Sequence, residues 1–314
     1  MKDQIIYKRS IHQHLKTLLA TVVLTGVALC SKAQLNPFQN MYFQNQYMYN
    51  PAMAGLDKVL NLNLNYRQQW SNFPGAPKTG SLTADFQPAD KVGVGLNVTD
   101  DQSGLIRSTR VMATYAYHLP LSDQTEQLSF GVSLGVNDSR VNYDAINGDV
   151  TDQEIAKYNQ LKAYADGDFG VAYTSDKLYI GGALPNLKAA FFKNSDSRFD
   201  ADRLLFITSA SYKISLDGTG QGFVLAPLAA FRVVKGYKDI VDAGANFTMN
   251  DYGLYLQGIY HSNESVGLGF GLDQTNYAFS FNYNLETGQI RNYTGGAFEL
   301  GIKFKLFQKS YNKQ

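Results

Sequence analysis

From residue 59 onward the chain alternates apolar and small polar residues, stretch after stretch. Val59–Arg67 reads VLNLNLNYR, with Leu60, Leu62, Leu64 and Tyr66 on one face and Asn61, Asn63, Asn65 and Arg67 on the other. Gln127–Asn137 sets Leu128, Phe130, Val132, Leu134 and Val136 against Ser129, Gly131, Ser133 and Gly135. A period of two predicts strands. Fourteen are predicted, starting near Val59, Thr79, Lys91, Ser108, Gln127, Gly167, Lys177, Leu204, Phe223, Asp239, Tyr252, Ser265, Tyr277 and Gly296. A soluble sandwich would turn its apolar face inward and expose charge. Here the polar face is mostly Gly, Ser, Asn and Thr, and the apolar face is rich in Tyr and Phe. That suits an all-β fold, a single transmembrane antiparallel β-barrel with apolar residues toward lipid and small polar ones toward a lumen.

The connections supply a second, independent sign. Those after odd-numbered strands average about 12 residues and those after even-numbered strands fewer than about 5, the asymmetry of long outer loops and short periplasmic turns. Both termini then lie in the periplasm. Residues 34–57, rich in Asn, Gln and aromatics, precede the first strand as a short periplasmic or plug-like segment; the barrel spans 58–307 and a tail 308–314. The connection Asp138–Asp166 holds Thr151 and Glu154 at capping-box spacing, with Ile155, Tyr158 and Leu161 following, which predicts a short outer helix.

Composition then narrows the function classes. Lys+Arg 28 against Asp+Glu 27 excludes a nucleic-acid binder driven by a basic surface. One cysteine excludes a disulfide framework or a Cys-rich metal module. At the amino terminus, Lys2, Lys8, Arg9 and Lys16 precede the apolar run Leu18–Cys30, and Ser31 and Ala33 stand at the −3 and −1 positions of a cleavage site. This is the pattern of a secretory signal peptide over 1–33. Leu29 before Cys30 is too bulky for a lipoprotein signal. Cleavage turns the formal net charge from +1 to −3 and leaves no cysteine.

Motifs that could carry chemistry have plainer readings. Gly131-Val132-Ser133-Leu134-Gly135 matches a nucleophile elbow, which needs a strained strand-to-helix turn; here it sits inside an unbroken strand pattern. The mature chain has two histidines, His118 and His261, so a lipid hydrolase through Ser133 is conceivable, but two histidines alone do not make a zinc site. Gly267-Leu268-Gly269-Phe270-Gly271 alternates strictly and has no following helix, against a dinucleotide loop. Asn147-Gly148-Asp149 and Asp166-Gly167-Asp168 read as turns rather than calcium loops. No cofactor and no catalytic residue is expected.

A cluster of another kind is Tyr66–Thr79, YRQQWSNFPGAPKT, with the single Trp, two prolines and a glycine between the first two strands. A rigid aromatic in a Pro-fixed loop fits an interface anchor as well as a plain hairpin. Together with Gln46–Gly55 (QYMYNPAMAG), this cluster resembles the PorP/SprF family, outer-membrane barrels of the type IX secretion and gliding machinery of Bacteroidetes. The matching residues are Asn50-Pro51-Ala52, Gly55, Tyr66-Arg67, Gln69-Trp70 and Gly75–Thr79; Met53 stands where tyrosine is usual. Leu178–Gly181, Pro185-Asn186-Leu187 and Phe298–Ile302 also look like family features. The resemblance implies a non-enzymatic component of the secretion apparatus in the outer membrane of a Gram-negative bacterium. It implies docking of other secretion-machinery proteins or a large surface adhesin, with outer-membrane lipid around the barrel. Candidate docking residues are Asn50, Pro51, Gly55, Arg67, Trp70, Phe73, Pro74, Gly75, Pro77 and Lys78. The alternative is a general porin or small-solute channel, suggested by the lumen-facing Gly, Ser and Asn rows.

Overall fold

The computed structural model describes residues 40–70, 75–122, 125–143, 146, 153–191, 204–218, 222–235, 237–288 and 295–307. The expected leader at 1–33 and the tail at 308–314 lie outside the described residues. The strands are β1 (Leu60–Gln69), β2 (Lys78–Ala89), β3 (Val92–Ser103), β4 (Ile106–Pro120), β5 (Gln127–Val141), β6 (Tyr164–Thr174), β7 (Leu178–Leu184) and β8 (Leu204–Tyr212). They continue as β9 (Ile214–Ser215), β10 (Phe223–Val234), β11 (Ile240–Met249), β12 (Leu254–His261), β13 (Ser265–Asp273), β14 (Tyr277–Glu286) and β15 (Ala297–Leu306). The two-residue β9 prolongs β8 past a break at Lys213 and pairs with the same neighbour, β10. The wall is therefore a closed barrel of 14 antiparallel strands, sealed where β1 runs against β15 from Leu60↔Leu306 to Gln69↔Ala297. No helix among the described residues is long and apolar enough to cross a membrane; the strands do so.

Each predicted start falls within a few residues of an observed one, and the alternation has the predicted sense. On β5, Val132 and Leu134 are 44% and 68% exposed, whereas Ser129 and Ser133 are 0% and 3% exposed. Backbone groups are satisfied all round the ring, so an apolar outer face can sit in hydrocarbon. Tyr115, Tyr117, Tyr212, Tyr252 and Tyr277 stand exposed on that face at one end, where an aromatic girdle belongs. Connections 70–77, 142–163, 185–203 and 287–296 all leave the opposite end, the one that the loop-length asymmetry expects to be the outer end.

Two local features differ from expectation. The connection between the third and fourth strands shrinks to Gly104-Leu105, because the ladder continues to Ser103↔Ile106. Beyond the lipid band nothing requires an apolar outer face, so pairing goes on where the periodicity has faded. Asp166-Gly167-Asp168 is not a turn but part of β6, with both carboxylates turned inward onto Arg110. The outer connection does carry a helix, Gln153–Asn159, while its expected cap Thr151 lies outside the described residues; a second short helix covers Leu187–Phe191.

The segment before β1 is not left outside the barrel in the periplasm: from Asn40 to Leu56 it runs within the lumen, the plug-like of the two expectations. It passes through short 3-10 turns at Gln46–Met48 and Pro51–Met53. Met41, Tyr42, Tyr47, Ala52, Met53 and Ala54 are all buried. The wall changes character to receive them. Ala183, Ile207, Leu228, Ala230 and Ile259 form an inward apolar patch against Tyr42, and Ala116 and Ala172 form another against Tyr47 and Ala52–Ala54. Burial of this apolar surface holds the plug in place.

Candidate functional site

At the inner end of the barrel the plug lies on bare backbone. A Cβ on Gly93 would stand 1.9 Å from the Ala54 carbonyl oxygen, one on Gly131 2.2 Å from the Pro51 carbonyl carbon, and one on Gly170 2.0 Å from Asn50 Oδ1. Asn50 caps the following turn: its Oδ1 accepts from the Ala52 N–H at 3.0 Å, with Pro51 at the first position of the turn. Its Nδ2 donates to the Val171 carbonyl at 3.1 Å. Gly55, at φ +67, turns the chain out toward β1, and its N–H donates to Asp85 at 3.0 Å. Nearby, His118 Nε2 meets the Ala54 carbonyl at 3.0 Å while Nδ1 meets Ser129 Oγ at 2.8 Å.

At the outer end the seat is polar and charged. Asn40 donates from its backbone N–H to Glu299 at 3.1 Å and from Nδ2 to Asn284 at 2.8 Å, and its carbonyl accepts from Gln257 at 2.9 Å. The Tyr42 hydroxyl donates to Asp242. Asp242 also accepts from Arg232 Nη2 at 2.8 Å and from His261 Nδ1 at 2.7 Å, and Glu299 is ion-paired with Arg67 at 3.4 Å. Arg67, Arg232, Asp242, His261 and Glu299 are each at most 2% exposed. Buried charges of this kind need partners, and strand register supplies Arg67 opposite Glu299. Burial pushes the Tyr42 and Tyr47 hydroxyls well above their ordinary range, so both remain neutral donors. Tyr47 donates to Thr114 at 2.8 Å, and Thr114 meets Ser133 at 2.7 Å.

This arrangement fixes where the candidate docking residues sit. Asn50, Pro51, Gly55 and Arg67 are buried inside the barrel, engaged with the plug or its seat. Trp70 is half-buried in the left-handed region at φ +46, and its N–H donates to the Gly296 carbonyl at 2.7 Å. Gly75, also left-handed at φ +75, accepts from the Gly104 N–H at 3.1 Å. Gly75 and Lys78 are exposed and Pro77 is buried; Phe73 and Pro74 lie outside the described residues. The hairpin is thus pinned on both sides, to 296 and to 104, at the outer end.

The hydrolase constellation does not assemble. Ser133 is bonded to Thr114 within β5, and His118 pairs with Ser129 instead. His261 closes β12 as a buried partner of Asp242. Among the described residues, no group of three or more His, Cys, Asp or Glu could hold a metal ion. Gly267, Gly269 and Gly271 face inward and make room for Asn40, Asn282 and Tyr255. Sequence reasoning did not single out Asp242, Arg232 or Asn40, and met Glu299 only within the Phe298–Ile302 phrase. Their one signal was charge or amide at inward positions of otherwise small polar rows.

Segments far apart in sequence but alike in being family phrases meet here: Asn50 beside Val171 and Tyr179, and Arg67 against Glu299. No curated protein matches the chain. Among solved structures, the outer membrane protein Omp33 of Acinetobacter baumannii is similar at 9% identity, covering 80% of this chain and 100% of that one with a TM-score of 0.47. The Ralstonia pickettii toluene transporter TbuX is similar at 12% identity, 83% and 93% coverage and a TM-score of 0.49. The KdgM porin follows at 8% identity, 79% and 99% coverage and a TM-score of 0.41. The sequence profile described as type IX secretion system membrane protein PorP/SprF matches residues 31–304, and the chain belongs to that family.

Proposed function

We propose that the protein is a non-enzymatic outer-membrane barrel that docks other proteins of the type IX secretion machinery, or a surface adhesin, at its outer end. The match of the family profile over 31–304 carries this reading. Two features support it. The chain's own Asn40–Leu56 runs through the lumen as a plug, which suits a platform better than an open pore. The outer hairpin holds the single Trp of the sequence in a fixed, strained position, half-buried and beside exposed Gly75 and Lys78. A backbone held in the left-handed region by a bulky residue costs on the order of 1–3 kcal/mol, and such strain clusters at binding sites. Trp70 is the proposed anchor, with exposed Gly75 and Lys78 on the same hairpin.

The test is a mild-detergent pull-down of the tagged protein followed by mass spectrometry. Type IX components should co-purify with the wild type and be lost from Trp70→Ala, whose barrel still shows heat-modifiable mobility. Retention of the same partners by Trp70→Ala moves docking away from the hairpin. Recovery of no secretion component removes the docking reading.

A further inference from the structure

Alongside the plug the lumen is not full. A cavity of about 740 Å³ opens at the inner mouth and runs beside Phe43–Tyr47. A smaller one of about 120 Å³ continues it toward the outer end, reaching Asn65, Ser280 and Gly301. The two share Phe43, Gln44, Asn63, Asn246, Thr248, Asp273 and Lys303 as lining. The larger volume lies within the range of about 300–1,000 Å³ typical of sites for small molecules. Above Ser280 the next inward residues of β14 are Asn282 and Asn284, and there the space ends. Asn282 is bonded to Gln257, Gln257 to the Asn40 carbonyl, and Asn284 to Asn40 Nδ2. Asn40 therefore stands across the head of a polar path that is open below it, and Tyr42, two residues on, ties the same stretch to the wall through Asp242.

We propose that this path is a gated conduit for small hydrophilic solutes, with Asn40–Tyr42 as its gate. The gate swings at Phe43–Gln44, while Asn45 and Tyr47, bonded to Thr83 and Thr114, and the Asn50–Gly55 turn stay seated. The lining defines the solute class. Carboxamides and hydroxyls dominate it, and its ionisable residues are balanced, Asp57, Asp85, Asp176 and Asp273 against Lys177, Lys213, Lys303 and Lys305. Uncharged polar or zwitterionic molecules fit such a lining, and an ionic current through it discriminates little between cations and anions. The two plug seats explain why only one end moves. Asn50–Ala54 is wedged against glycine backbone that has no room to shift. Asn40 and Tyr42 are held by hydrogen bonds and one apolar patch, and their polar groups regain hydrogen bonds from water when released. The conduit is distinct from docking at the outer hairpin and stands or falls separately from it.

The experiment is single-channel recording of the full mature protein in planar bilayers. The wild type should be mostly closed. Tyr42→Phe, which removes the hydroxyl from Asp242 and keeps the ring, should raise the open fraction about tenfold, since one bond lost to a charged group biases a two-state gate by about that factor. Asn40→Ala with Tyr42→Phe should raise it further, by also removing the side-chain bond to Asn284. The reversal potential in a salt gradient should stay near zero. Expected cleavage of the leader leaves no cysteine, so Thr248→Cys in the cavity gives a clean reporter: a charged thiol reagent should block the current of the gate variant. Equal conductance of wild type and folded gate variants, or a current that the reagent at Thr248→Cys leaves untouched, overturns the proposal. Should the double variant fail to fold, Tyr42→Phe alone decides between these outcomes.

Discussion

At its inner end the plug rests on glycines 93, 131 and 170, where its main chain and the Asn50 side chain lie against bare wall backbone; at its outer end Asn40 and Tyr42 reach into a network of Asp242, Arg232, His261 and Glu299. The first seat works by shape and the second by charge. A shape-based seat tolerates no added atom, yet it loses little when a polar group is changed. A charge-based seat accepts changes of size and fails when a buried partner is removed. Two anchors in one lumen therefore answer to different mutations.

The largest effect is expected at the charged seat. Asp242→Ala leaves Arg232 buried without its carboxylate and should cost about 3–5 kcal/mol in urea unfolding from detergent micelles. The wall between the seats sharpens the contrast. Val132→Arg points a charge at lipid and should cost about 2–4 kcal/mol. Ser133→Arg points into the plug, beside Thr114 and Tyr47, so it is not spared by a wet lumen. Removing residues 40–48, which include Tyr47, should restore Ser133→Arg and leave Val132→Arg unimproved, as read by heat-modifiable mobility. At the shape-based seat, Gly131→Leu should cost about 1–3 kcal/mol by overpacking. That loss should persist at high salt, unlike a charge effect. Smallest, Asn50→Ala removes a turn cap and should cost about 1 kcal/mol. Were Gly131→Leu harmless, the plug would not be seated on backbone as described.

The wall was legible because lipid imposes a strict rule on every second residue. Leu60–Tyr66 and Leu128–Val136 obey it, and their inward partners are small. Legibility ended where that rule ends. The hairpin around Gly104 extends into water, so its pairing left no periodic trace. The lumen was harder still. Arg67 and Glu299 are far apart in sequence and meet through barrel closure, which no local spacing encodes. Asn50-Pro51-Ala52 was recognisable as a phrase, but its work as a turn cap against Val171 needed the fold. Trp70 stood out as the single Trp among prolines, and its left-handed backbone was not readable from composition.

The pairing of β1 with β15 has a consequence for assembly. The plug lies immediately before β1, and the last rows of the wall to be paired are Leu60↔Leu306 to Gln69↔Ala297. Strands so distant in the chain meet late and slowly. When the seam finally joins, the plug is already tethered at its edge, so the cylinder can be wound round it instead of being threaded afterwards. The segment has the position of a mandrel: its glycine contacts on β3, β5 and β6 lie on the inner face of a stretch of wall whose strands are neighbours in sequence.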